Sequence, residues 1–140
     1  METSTQAVGP HPTPEVQLPI EGADLPELFE EAGYALAEVL LGQAPWDVPL
    51  DGEEEHLTLE AADTKTLLVD WLNALLARWE QGGKVYAYFL VDELTESRLH
   101  ARIRGFRPPS LEWPVKSATC HGLEIHEHED GFTATLALTL

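Results

Sequence analysis

Twice along this chain an apolar repeat of two residues gives way to a repeat of three and four. That switch of period limits the fold more than any other feature, because strands alternate their faces while helices return to one face about every 3.6 residues. Val16, Leu18 and Ile20 alternate with Gln17, Pro19 and Glu21, predicting a half-buried strand. Pro19 puts that strand at a sheet edge, since proline offers no N–H to a neighbour. Leu25, Leu28, Phe29, Ala32, Leu36, Val39 and Leu40 then form one helical stripe. Asp24 can cap the helix, Glu27 completes a capping box and Pro26 fits the first turn. Glu27, Glu30, Glu31 and Glu38 are expected on the solvent side, and Gly42 is the expected stop.

The same order recurs. His56–Ala62 alternates, with Leu57 and Leu59 on one face. Asp63 then caps a second helix through Leu67, Leu68, Trp71, Leu72, Leu75, Leu76 and Trp79, ended by Gly82-Gly83. Its wide apolar stripe predicts deep burial. Val85–Leu94 is rich in aromatic and β-branched residues and reads as a strand; Leu99–Phe106 pairs with it as a hairpin. Residues 117–128 and 131–140 predict a final hairpin around Glu129-Asp130-Gly131, with Asp-Gly a favoured turn pair. On its second strand Phe132, Ala134, Leu136, Leu138 and Leu140 share one face and the threonines the other. Gln43–Gly52, anchored by Trp46, and Arg107–Pro114 read as loops. The layout is α+β, helices packed on sheets, and its repetition suggests two similar modules.

Residues 1–12 are small and polar and are expected to be a disordered tail, leaving 13–140 as a single domain. A chain of 140 residues can bury a core without disulfides. Cys120 is the sole cysteine, which points to a reducing, cytoplasmic setting. No apolar run approaches the ~20 residues of a membrane helix. The net charge is −17, and it is uneven: residues 1–64 hold fifteen acids and no lysine or arginine, while residues 65–140 hold ten acids and eight bases. Such a chain repels phosphate backbones, so direct nucleic-acid binding is disfavoured and a basic protein or a cation is the natural partner.

Lys116-Ser117-Ala118-Thr119-Cys120-His121-Gly122 concentrates reactive side chains at the mouth of a predicted strand. Adjacent strand residues point to opposite faces, so Cys120 and His121 cannot form a nucleophile–base hydrogen bond. The spacing of Cys120, His121, His126 and His128 fits no zinc pattern. Cys120 reads as a small buried hydrophobe, and His126 and His128 as a solvated pair at a hairpin tip. Arg98, Arg102 and Arg104 share a strand face and are expected to be solvated and balanced by acids. Gly82-Gly83 lacks the context of a phosphate-binding loop.

Four segments, in order, resemble the archease family, the protein cofactors of RtcB-type RNA ligases. They are Gly22–Ala32 at the first helix, Leu67–Leu76 in the second helix, Val115–Ile125, and the Asp-Gly hairpin at the C-terminal end. The resemblance implies two strand-helix-strand-strand (SHS2-type) modules, one inserted in the other, with helices packed on mostly antiparallel sheets. It implies a non-enzymatic role: helping an RtcB-type ligase to become guanylylated and to turn over repeatedly in tRNA splicing or RNA repair. Lys116, Thr119 and His121 match the family signature and are expected at the partner-binding surface.

The resemblance also implies a divalent-metal site joining the two ends of the chain. The family's His-Thr-Ala-Asp-Ile-Gly motif aligns with Pro12-Thr13-Pro14-Glu15-Val16-Gln17, so the aspartate ligand is replaced by Glu15. The family's penultimate aspartate is replaced by Thr139, and Leu140 is last. One carboxylate is lost and another lengthened. Calcium and magnesium need several hard oxygen ligands, so this site is expected to be degenerate, empty or filled only at high metal. Two other readings stand beside the first: a divergent family member acting as a general chaperone or protein-binding module, and an enzyme using Cys120 and His121.

Overall fold

The computed structural model describes residues 15–42, 45, 52–108, 117–119 and 124–139, with Glu15, Ser117–Thr119 and Thr139 given by their backbone. The expected tail, Trp46 and Cys120 lie outside these residues. The elements run β1 (Glu15–Gly22), α1 (Leu25–Leu41), β2 (Glu55–Glu60), α2 (Thr64–Gly82), β3 (Val85–Leu94), β4 (Arg98–Phe106), β5 (Ser117–Thr119), β6 (Ile125–His128) and β7 (Gly131–Thr139).

All strand pairs are antiparallel, in two sheets. One joins β1, β7, β5 and β6, with β7 between β1 and β5; the other has the order β2-β4-β3. The strand-helix-strand-strand unit β2-α2-β3-β4 is thus inserted between α1 and β5 of a second such unit, as expected. Pro19 does lie on an edge strand, opposite Thr135 of β7.

Both helices start and stop where their caps dictate. Asp24 accepts from the N–H of Glu27 and Asp63 from that of Thr66. Gly42 and Gly83 close the helices in the left-handed conformation, which costs glycine little. The Glu27 carboxylate reaches back to the N–H of Ala23, one residue before the expected capping-box partner.

The two units share one core, because each helix packs on strands of both sheets. α1 lies on β1 and β7 and also on β3; α2 lies on β2 and β3 and also on β5. Phe89 of β3 is where they converge. Its ring meets Tyr34 of α1 edge-on at 5.0 Å and Trp71 of α2 edge-on at 5.7 Å. Trp71 is fully buried, and its indole N–H donates to the carbonyl of Phe29 at 2.9 Å, tying α2 to α1.

One glutamate departs from the expected pattern. Glu30 does not simply face solvent: its carboxylate accepts from the N–H of Val91 at 2.8 Å. The hydroxyl of Tyr34 accepts from the N–H of Phe89 at 3.4 Å. β3 is an edge strand, and these two side chains occupy donors that another chain could otherwise pair with. Burial raises the Glu30 carboxyl above its ordinary value, although the Val91 N–H pulls the other way.

Gly33 sets how closely α1 can approach. A Cβ there would stand 2.9 Å from the Phe89 ring, too near for contact without displacement. Alanine normally favours a helix over glycine by about 1 kcal/mol. Here overpacking, which typically costs about 1–3 kcal/mol, should outweigh that gain. Gly33→Ala is therefore expected to lower unfolding free energy in a urea titration; a stabilised variant would mean that the helix–strand contact is looser than described.

Candidate functional site

The chain-end residues that the sequence singled out lie on and beside the central strand of the first sheet. β1 pairs with β7 without interruption, from Glu15 opposite Thr139 to Gly22 opposite Phe132. β5 pairs with β7 through Ser117 opposite Thr139 and Thr119 opposite Ala137. Glu15, Thr139 and Ser117 therefore stand in one row across three strands. Glu15 and Thr139 are the pair that the sequence singled out, and the backbone sets them side by side. Ser117 is the third member, and sequence reasoning missed it. Lys116, the residue before it, lies outside the described residues, as do His121 and Leu140. Thr119 stands two residues along β5 from Ser117.

The expected hairpin strand 117–128 is in fact two strands, and the break explains why Ser117 was missed. β6 pairs with β7 from His128 opposite Gly131 to Ile125 opposite Ala134. If that register continued, Ser117 would fall three residues past Thr139 instead of opposite it. The register of β5 is instead offset by three residues, which draws Ser117 alongside Thr139.

At the other end of β1 and β7 an open cavity of about 760 Å³ is lined by Glu21, Glu27, Glu31, His128, Asp130 and Phe132, among others. Four of these side chains are acidic. The carboxyl of Glu31 is raised above its ordinary value by partial burial, then by Glu27 and Glu21. On the second sheet Arg98 and Arg102 are balanced by acids as expected, whereas the part-buried Arg104 donates to the carbonyl of Gly52. Arg102 makes a two-point contact with Asp92, both distances 2.9 Å, and Arg98 lies 3.5 Å from Glu93. Among the described residues no three His, Cys, Asp or Glu side chains converge as a metal cluster, and no helix is long and apolar enough to cross a membrane.

This geometry defines a class: two interlocked strand-helix-strand-strand units whose central C-terminal strand joins the first strand to the segment after the insertion. The Archease protein family model matches residues 9–138, and the chain belongs to that family. It is 28% identical to the protein archease of Methanosarcina acetivorans and 27% identical to that of Methanosarcina mazei, in each case over 91% of both chains. Two solved structures share the fold. A Thermotoga maritima protein, described as an archease and possible chaperone, matches with a TM-score of 0.69 over 99% of this chain and all of its own, at 20% identity. The solution structure of Methanobacterium thermoautotrophicum protein 1598 matches with a TM-score of 0.68 over 90% of this chain and 92% of its own, at 25% identity.

The acidic cavity gives a pH test. Because the folded state holds the Glu31 proton more tightly, the unfolded chain ionises first as pH rises above the ordinary value of 4.5. Ionised Glu31 thus costs native stability at neutral pH, and none once both states are protonated. Glu31→Gln should raise the urea midpoint at pH 7, with the advantage fading as pH falls through the raised folded-state value and gone below the ordinary 4.5. An advantage that grew toward acid pH would contradict this.

Proposed function

We propose that this archease-family chain is an accessory protein of an RtcB-type RNA ligase, promoting its guanylylation and repeated turnover in tRNA splicing or RNA repair, and is not itself an enzyme. The family match across residues 9–138 carries the reading. The net charge of −17, concentrated in the first half, supports a basic protein partner in the cytoplasm, since complementary charge speeds encounter and disfavours wrong partners. Lys116, Thr119 and His121 are assigned to the ligase-facing surface, with no catalytic step of their own. Adding the protein to the RNA ligase of its host, with GTP and a divalent metal, should raise guanylylation or the number of turnovers. No change at equimolar protein would sink this reading.

The row of Glu15 and Thr139 supports a weak divalent-cation site, with Leu140 as a further oxygen ligand and calcium or magnesium as the ion. Its residues fit the ion only in part, because a neutral hydroxyl stands where affinity calls for a carboxylate. Thr139→Asp should therefore tighten calcium binding severalfold in a calorimetric titration. Equal affinity in the two proteins would dismiss the chain-end site.

A second reading, a general chaperone or protein-binding module, is favoured by the description of the Thermotoga maritima structure as a possible chaperone. Copurification separates the two: unrelated proteins without the ligase would support the second.

A further inference from the structure

Two histidines meet on the outer face of the second sheet, beside Arg102 and away from both ends of β7. His56 lies on β2 opposite Arg102, and His100 on β4 opposite Thr58, so the two are diagonal neighbours across one strand pair. Their ring centroids are 5.3 Å apart, and Nδ1 of His56 lies 3.2 Å from Nε2 of His100. Two imidazole nitrogens bound to one zinc-class ion, each at 2.0–2.1 Å, stand about 2.8–3.4 Å apart for cis octahedral to tetrahedral angles. The rings therefore already have the spacing that a shared ion requires.

We propose that His56 and His100 form a two-histidine site for a divalent transition-metal ion of the zinc, nickel and copper class, with water completing the coordination. Imidazole is a preferred ligand of these ions, whereas calcium and magnesium prefer oxygen. Thr58 supplies the supporting contact. Its hydroxyl oxygen lies 2.9 Å from Nδ1 of His100. In the tautomer that a metal requires, His100 Nδ1–H donates to Thr58 and leaves the Nε2 lone pair aimed at the ion. His56 binds through Nδ1 with its proton on Nε2. Both ligands stand on adjacent paired strands, with no loop to order on binding.

The charges around the pair permit a cation. Arg102 stands opposite His56 in the β2–β4 register and is engaged by Asp92 and, at 3.8 Å, by Glu54, while Arg98, two residues from His100, lies 3.5 Å from Glu93. Asp92 is held below the usual carboxylate range chiefly by Arg102, and to a smaller extent by the two rings. Glu93 pairs with His100 in the β3–β4 register, and Glu60 stands opposite Arg98 in the β2–β4 register. With two protein ligands the affinity is modest, and acid weakens it because protons compete for the same nitrogens.

The test is a titration of the full chain with zinc chloride, read by calorimetry and by the ring ¹⁵N resonances of the histidines. A single event is expected that shifts His56 Nδ1 and His100 Nε2. It should be lost in His56→Ala and in His100→Ala, and weakened roughly tenfold in Thr58→Val. The double variant His126→Ala/His128→Ala should bind as the parent does. All these positions are at least partly exposed, and circular dichroism verifies that each variant folds. Unchanged zinc binding in folded His56→Ala, or loss of binding in the His126/His128 variant instead, would overturn the proposal.

Discussion

The contact between Gly33 and the ring of Phe89 is the constraint on which the rest of the structure depends. It lets α1, which belongs to the outer unit, lie directly on β3 of the inserted one. Tyr34 and Trp71 then close on the same ring from two helices. Edge-on aromatic pairs are each worth about 0.5–1.5 kcal/mol beyond the area they bury, and here two share one residue. Glu30 and Tyr34 complete the seam by taking up the N–H groups of an edge strand.

This interlocking bears on function through the first sheet. With α1 fixed between β3 and β1, and α2 reaching β5, the inserted unit helps to position strands on both sides of β7. The two ends of β7 then have different characters. At one end Glu15, Thr139 and Ser117 come together from three distant stretches of chain. At the other, Glu21, Glu27, Glu31 and Asp130 surround an open cavity. In an extended strand these ends are separated by about 3.3–3.4 Å for each residue, so the eight paired positions keep them well apart.

How much of this was legible in the sequence depends on the range of the interaction. Asp24, Asp63, Gly42 and Gly83 marked the helix ends because a cap acts within a few residues. Leu57 marked the buried face of the second sheet, and Arg98, Arg102 and Arg104 its outer face, because alternation is local. Glu30 was misread as solvent-facing, since its neighbours in sequence are acids while its partner, Val91, is sixty-one residues away. The strand 117–128 was read as continuous because its composition does not record the three-residue offset between β5 and β6. Of the chain-end site, Glu15 and Thr139 were found through family resemblance, and Ser117 was hidden by that offset.

The sequence alone determined both helices with their ends, most of the strands, which faces are apolar, and that acids dominate the first half. These properties arise from periodicity, caps and composition, which act over a few residues. Only the tertiary structure decided that α1 covers an edge strand of the other unit, that Ser117 joins Glu15 and Thr139 in one row, and that His56 meets His100. Those outcomes depend on register and on how closely two backbones approach. Both are settled by packing between segments far apart in the chain, and no local pattern encodes them.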